Sequence, residues 1–167
     1  ILPQVTLFAE DFEHNGAMPL QWSQSLVQGT YAWRSVDGGG NGDTFNLPDS
    51  AHGGAYNAVL FASSYSNNIT RFVTPAINLG ANPANLRLTF WHAMTELQGQ
   101  QDELRVYYKS SASSPWNLLA TYTNNVTEWT RRVLPVPSPS STYYLAFEGT
   151  ARFGSGICID DVRIAEA

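Results

Sequence analysis

Alternation of apolar and polar residues is the main pattern along this chain, and it predicts β-strands. In three runs every second residue is apolar, which is typical of a strand with one buried face and one exposed face. Two shorter runs end at a proline and are also predicted to be strands. The three alternating runs are residues 86–91, 104–109 and 143–148, and the two shorter ones are residues 71–74 and 129–134.

No stretch has the apolar spacing of a helix, and polar residues 95–103 are predicted to form a loop. Short segments rich in Gly, Pro, Ser and Asn separate the predicted strands. Many short strands with such turns favour an all-β fold, and specifically a jelly-roll β-sandwich of two antiparallel sheets. The 167 residues contain no internal repeat or linker, so residues 1–167 are predicted to be a single domain.

The amino-acid composition and net charge argue against some classes of binding partner. The net charge is −5 and Lys109 is the single lysine, which argues against nucleic acid and anionic membranes as partners. No apolar stretch approaches the ~18 residues of a transmembrane helix, so no membrane insertion is expected. Few charges and many Ser, Thr, Asn and aromatic residues fit a secreted or cell-surface protein. The chain begins at Ile1 without a methionine, as expected of a fragment attached to other domains.

Cysteine, histidine and serine motifs give no sign of catalysis. The one cysteine, Cys158, lies between two isoleucines and is predicted to be a buried, small hydrophobic residue. The histidines lack metal-ligand spacing, and His92 continues an apolar strand face, which predicts a core or edge position. The nucleophile motif Gly-x-Ser-x-Gly is missing, so the chain is predicted not to be an enzyme.

Acidic residues occur inside or beside apolar β-runs at both ends of the chain. They are Asp11 and Glu13 near the start, and Asp160 and Asp161 near the end. Carboxylates in such places are costly unless their charge is compensated. If the two runs lie side by side, a calcium ion held by oxygen ligands is the natural compensator, which makes these four residues the predicted ligands. The alternatives are that they are solvated, or that they pair with Arg152 or Arg163.

The last acidic pair also raises a question of strand geometry. Asp160 has the same parity as Val162 and Ile164, whereas Asp161 has the same parity as Ile157 and Ile159. In a regular strand one of the two acids must therefore lie on the apolar face. A β-bulge at the pair is the other possibility.

Two further groups of residues are candidates for binding. The glycine-rich segment 37–43 looks like one turn of a calcium-binding repeat, but that repeat works by stacking and occurs here once. The segment is therefore predicted to be a flexible loop; the alternative is that Asp37 and Asp43 hold a second, weaker cation. Trp33, Trp116 and Tyr65 lie in or beside predicted loops. Exposed aromatic rings can stack on sugars or anchor protein partners, so these three are predicted ligand-binding residues.

The order of several motifs along the chain resembles that of the MAM-like superfamily, and most closely its bacterial cleaved-adhesin domains of the gingipain type. The resemblance spans residues 7–164. It is carried by Asp11-Phe-Glu13, Pro19-x-x-Trp22, Ala51-His-Gly-Gly54, residues 73–79, residues 88–92, Leu104-x-Val106, Trp129, residues 144–147 and Ile159-Asp-Asp-Val162. The disulfide cysteines of animal MAM domains are missing here, which favours the bacterial branch.

The resemblance implies a jelly-roll sandwich whose first and last strands are neighbours, with a structural cation near their junction. It implies that Trp22, Trp91 and Trp129 belong to the core, and that His52 makes hydrogen bonds near the cation. It also implies a non-catalytic, extracellular adhesion module of a larger secreted or surface protein, binding an extracellular or host protein. The alternative is a carbohydrate-binding module of a secreted glycosidase, with a glycan as partner.

Overall fold

The computed structural model describes residues 5–38, 47–80 and 85–167, and their regular structure consists of eleven β-strands. The strands form two antiparallel sheets, as the sequence predicts. The glycine-rich segment with Asp43 lies outside the described residues, whereas Asp37 ends a strand. None of the described residues forms a helix long and apolar enough to cross a membrane.

One sheet has six strands. Its order is β3, β4, β11, β6, β9, and β1 also pairs with β11. These strands are β1 (Thr6–Glu10), β3 (Arg34–Asp37), β4 (Tyr56–Leu60), β6 (Leu86–Met94), β9 (Val126–Pro135) and β11 (Ile157–Glu166).

The other sheet has five strands, in the order β2, β5, β10, β7, β8. They are β2 (Ser23–Gln28), β5 (Asn68–Val73), β7 (Glu103–Lys109), β8 (Asn117–Tyr122) and β10 (Tyr144–Ala151). The five runs predicted from alternation correspond to β5, β6, β7, β9 and β10, and residues 95–102 form the predicted loop between β6 and β7.

The main core lies between the sheets and consists of the inward-facing side chains that alternation predicts. Leu88 and Phe90 of β6 meet Leu145 and Phe147 of β10, and all four are fully buried. A smaller apolar cluster lies on the outer face of the six-stranded sheet and includes Cys158, which is buried as predicted. This arrangement is a two-layer β-sandwich, consistent with the predicted jelly roll.

Candidate functional site

The last strand, β11, changes its partner halfway along, and the acidic pair lies at the change. Residues 157–159 pair with β4, and residues 162–165 pair with β1 on the same side of β11. Asp160 and Asp161 fall between these two segments. The loop that leaves β1 and the loop that enters β4 therefore meet at this gap, which brings residues 11–13 and 50–55 to the acidic pair.

A β-bulge answers the question of parity that the sequence raised. The pairing of β11 with β6 shifts register between Asp160 and Arg163, and Asp161 has a left-handed backbone with φ of 48°. The extra residue changes the alternation of the strand. Ile159 before the bulge and Val162 after it therefore both belong to the main core.

Asp160 is fully buried, and its two carboxylate oxygens accept backbone N–H groups. Oδ2 accepts from Gly53 at 3.1 Å, and Oδ1 accepts from Asp161 at 2.8 Å. Burial raises the pKa of Asp160 to about 7, and the nearby charges of Asp161 and Glu13 also raise it, while the two hydrogen bonds oppose the rise. The ionised form of this side chain thus lacks sufficient compensation from the protein groups around it.

Asp161 is bound by a histidine of the loop before β4. Its Oδ2 lies 2.5 Å from Nδ1 of His52, so the predicted hydrogen-bonding role of His52 is confirmed. The His52 ring stacks on Trp91, with ring centroids 3.8 Å apart, and meets the edge of Trp129. The Trp129 indole N–H donates to the carbonyl of Ser50 at 2.8 Å, which fixes the start of the same loop.

Glu13 holds the other end of this loop. Its Oε1 and Oε2 accept the backbone N–H groups of Ala55 and Tyr56, both at 2.8 Å. A Cβ atom at Gly54 would lie 2.4 Å from Cδ of Glu13, and Gly54 has φ of +62°. A Cβ atom at Gly53 would lie 2.7 Å from Oδ2 of Asp161. The two glycines therefore let the loop pass between the two carboxylates.

Asp11 belongs to a second, neighbouring group of acids. Its Oδ1 accepts the N–H of Glu13 at 3.0 Å, and its carboxylate lies near Glu10 and His14. Oε2 of Glu10 lies 2.7 Å from Nε2 of His14 and also accepts the N–H of Phe12. Asp11 and Asp161 line the same groove, of about 140 Å³. Glu10 and His14 were not among the four predicted ligands, although their i, i+4 spacing beside Asp11 and Glu13 is a signal that the sequence contains.

The structure thus divides the four predicted ligands between two adjacent groups. Asp160 and Asp161 come together with His52, and Asp11 comes together with Glu10 and His14. The arginines that the sequence offered as alternative partners are engaged elsewhere. Arg152 pairs with Glu103, and Arg163 donates to Oγ1 of Thr6. Within the described residues, no arginine or lysine forms an ion pair with either acidic group.

The prediction that Trp33 is exposed is wrong. Trp33 is 2% exposed and belongs to the main core, where its ring stacks on Phe72 and its indole N–H donates to the carbonyl of Thr70 at 3.0 Å. Its position next to β3 placed it beside a loop in the sequence, but the ring turns inward. It is therefore unavailable as a ligand platform.

The other two aromatic candidates are accessible. Tyr65 is 69% exposed and contacts Phe153, with ring centroids 5.2 Å apart. Trp116 is half-buried, and Nζ of Lys109 lies 4.4 Å from its ring centroid. A role for either residue in binding stays a prediction.

The three tryptophans expected in the core have different positions. Trp22 packs against the main core and contacts Phe72. Trp91 and Trp129 are half-buried on the outer face of the six-stranded sheet, because they have opposite parity to the core residues of their strands. Neither ring therefore belongs to the main core. Trp129 packs against the smaller apolar cluster, and both rings support His52 beside the acidic site.

Comparison with known proteins finds one matching family and several solved structures with a similar fold. The profile of the MAM domain family, described as meprin/A5/mu, matches residues 11–167. No curated protein matches the chain significantly in sequence.

Many solved structures are similar to this chain, among them three that match it over nearly its whole length. The K3 cleaved adhesin domain of Lys-gingipain from Porphyromonas gingivalis W83 has a TM-score of 0.71 at 22% identity, covering 99% of this chain and 100% of that domain. The K1 domain of the same protein has a TM-score of 0.65 at 22% identity, covering 98% and 99%. The module TmCBM61, solved with β-1,4-galactotriose, has a TM-score of 0.61 at 14% identity, covering 93% and 97%.

Proposed function

The chain belongs to the MAM domain family (meprin/A5/mu), and from this membership we propose that it is a non-catalytic, extracellular binding module stabilised by a structural calcium ion. It would act as part of a larger secreted or surface protein and engage an extracellular or host protein. The observation that carries the proposal is the convergence of Asp160, Asp161 and Glu13 on the gap between β1 and β4 without an arginine or lysine partner among the described residues.

The donor set fits a hard cation. Calcium takes about six to eight oxygen ligands from carboxylates and backbone carbonyls. Asp160 and Asp161 would supply carboxylate oxygens, with Asp11 and Glu13 beside them. Each carboxylate oxygen that accepts one N–H keeps a further lone pair for a metal. His52 suits a different role, since its nitrogen is a poor ligand for calcium, and it orients Asp161 from outside the site.

The buried charge of Asp160 explains why a cation would stabilise this site. A buried carboxyl whose pKa lies near 7 is half ionised at neutral pH. A bound dication supplies the missing compensating charge and favours the ionised form. The acidic loops after β1 and before β4 would then be joined to β11 through one ion.

Thermal unfolding after thorough chelation, and again with millimolar calcium, tests the cation. Ligand at about 100 times its dissociation constant adds about 2.7 kcal/mol, which raises the midpoint of a domain of this size by roughly 5–10 °C. Asp161→Asn and Glu13→Gln should abolish this rise. Glu96→Gln removes an exposed carboxylate in the loop after β6 and should keep it.

A midpoint that calcium does not move would refute the cation, provided that elemental analysis finds no metal left in the chelated sample. The proposal of a binding module is tested separately, by capture of extracellular matrix or host surface proteins on the immobilised domain. A hydrolytic activity lost in Asp161→Asn would contradict the non-catalytic assignment.

Carbohydrate binding is the second candidate, and the outer face of the five-stranded sheet favours it. There Glu148 of β10 pairs in register with Arg71 and Arg105, and Oε2 of Glu148 accepts from Nε of Arg71 at 2.8 Å. The Arg71 guanidinium lies 5.1 Å from the centroid of the Tyr107 ring. Aromatic rings beside charged hydrogen-bonding groups suit the apolar face and hydroxyl groups of a sugar.

Lys109 covers part of the aromatic surface on which a sugar would stack. Its Nζ lies 4.4 Å from the Trp116 ring and 5.2 Å from the Tyr144 ring, so a sugar must displace it. Binding of neutral β-linked oligosaccharides that is lost in Tyr107→Ala and Trp116→Ala, but kept in Leu20→Ala, is the expected result; Leu20 is 90% exposed and lies in the segment between β1 and β2. An array of such glycans without any bound species would exclude this candidate.

A further inference from the structure

Three arginines from neighbouring strands line one pocket on the outer face of the six-stranded sheet. Arg163 lies on β11, Arg87 on β6 and Arg131 on β9, and these three strands are adjacent in the order β11, β6, β9. The register places Thr89 at the centre, since Thr89 pairs with Arg163 on one side and with Val133 on the other. The pocket has a volume of about 80 Å³.

The positive charge of this pocket is compensated only in part, by Glu166, which lines the pocket beyond ion-pair distance of the arginines. None of the three arginines has a carboxylate within 4.0 Å in the part of the chain that the structure describes. Arg163 donates from Nε and Nη2 to the hydroxyl of Thr6, and Arg87 donates to the carbonyl of Leu86.

Other arginines of the chain are paired differently. Arg71, Arg105 and Arg152 each form an ion pair with a glutamate. The chain has only 9 Lys and Arg residues and a net charge of −5. Three arginines in one pocket without an acidic partner are therefore a local exception to the charge of the molecule.

We propose that this pocket binds the anionic groups, carboxylate or sulfate, of an acidic polysaccharide. Guanidinium groups present planar arrays of donors that match such oxyanions. The pocket has room for one such group, since a single water molecule needs only about 10–15 Å³ of such space. This site is on the opposite sheet from Tyr107 and Trp116. It adjoins the groove of Asp11 and Asp161, because Arg163 lines both.

The surroundings of the pocket favour a polysaccharide over other polyanions. Protein partners are commonly anchored by large side chains in a desolvated centre. Among the residues that line the pocket, Val133 is the one large apolar side chain, and it is 48% exposed. Nucleic acid would meet a molecule of net charge −5 beyond this one pocket.

Replacing Glu166 should change the binding affinity in the opposite direction from replacing an arginine. Its exposed side chain also lines the pocket, although it lies beyond ion-pair distance of the arginines. It repels an incoming anion, so Glu166→Gln should strengthen binding. Removal of an arginine should weaken it.

Isothermal titration at 50 mM salt tests the proposal with two probes, a heparin-derived tetrasaccharide and an oligogalacturonate. Binding of the first identifies sulfate, and binding of the second identifies carboxylate, as the favoured group. Arg87→Gln and Arg131→Gln are both exposed positions and should each weaken binding about tenfold, the size expected for one charged hydrogen-bonded contact. Glu166→Gln should tighten it several-fold, and 200 mM salt should weaken it.

Arg152→Gln is the matched control, because it removes one positive charge outside both proposed binding sites and should change affinity less than twofold. The proposal is overturned if neither probe binds the wild-type protein, or if Arg152→Gln weakens binding as much as the other arginine variants. It is also overturned if a DNA oligonucleotide or a poly-glutamate peptide of equal charge binds as tightly as the better saccharide probe.

Discussion

Replacing His92 with leucine should make the stability of this protein less sensitive to acid. His92 lies in β6 and is fully buried, with its ring 5.2 Å from that of Tyr122. Its Nδ1 accepts from Nε of Arg132 at 3.4 Å, and its Nε2 has no partner among the described residues. Burial, and then the charge of Arg132, lowers the pKa of His92 from 6.5 to about 3.

The magnitude follows from proton linkage. Below pH 6.5 the unfolded chain binds a proton at His92 that the folded protein does not bind, so the free energy of unfolding falls as pH falls. Each pH unit between the two pKa values changes it by about 1.4 kcal/mol. Between pH 7.5 and 4.5, His92 alone should therefore remove about 2.7 kcal/mol of stability.

Urea unfolding of the wild type and His92→Leu at both pH values measures this effect. Relative to the wild type, the variant should be about 2.7 kcal/mol more stable at pH 4.5 than at pH 7.5. At pH 7.5 the substitution itself should have a small effect, because it removes an unpaired buried N–H group as well as a long hydrogen bond. Other titrating groups cancel in this double difference.

Replacement of the exposed histidine His14 by glutamine serves as the control, and it should leave most of the acid sensitivity in place. If His92→Leu and the wild type lose stability in parallel between pH 7.5 and 4.5, then His92 is not held neutral by burial, and the reasoning is refuted.

Three substitutions test the packing of the main core and of the segment around Asp102, each by urea unfolding. Gly149→Ala should destabilise by about 1–3 kcal/mol, since its Cβ would lie 2.6 Å from Cδ2 of Leu60 in the core; an unchanged midpoint would contradict this. Gly154→Ala places a Cβ 2.5 Å from Oδ2 of Asp102, a carboxylate held by three backbone N–H groups, and should cost at least as much. Trp33→Phe should lose about 1–3 kcal/mol with its buried hydrogen bond, and a loss below 0.5 kcal/mol would argue that the ring is exposed after all.

Alternation predicted the strands that bury one face, and it failed where that condition does not hold. All six residues of β2 are exposed, and four of the five residues of β4 are buried, so neither strand alternates. Such strands depend on pairing with neighbours, β2 with β5 and β4 with β11. A single sequence does not reveal these neighbours, since pairing is a long-range property.

The acidic site was predictable in its residue types but not in its contacts. Runs of carboxylates beside apolar strands identified Asp160 and Asp161, and the resemblance to a known family brought them next to β1. The partners of Glu13 are backbone N–H groups of Ala55 and Tyr56. Their direction depends on the path of the loop, which side-chain chemistry does not encode.

The bulge in β11 has a consequence for how this protein can change in evolution. The bulge accommodates one additional residue between Ile159 and Val162 with both halves of the strand facing the core, and the same residue creates the acidic pair. Ile159 and Val162 are three positions apart, so deleting Asp160 or Asp161 would leave them two positions apart, which is the spacing of one face of a regular strand. Such a deletion would remove the bulge and the acidic pair together and would keep both halves of β11 facing the core. Lineages can therefore lose the acidic chemistry by a one-residue deletion as well as by substitution, and the core does not depend on the length of this segment.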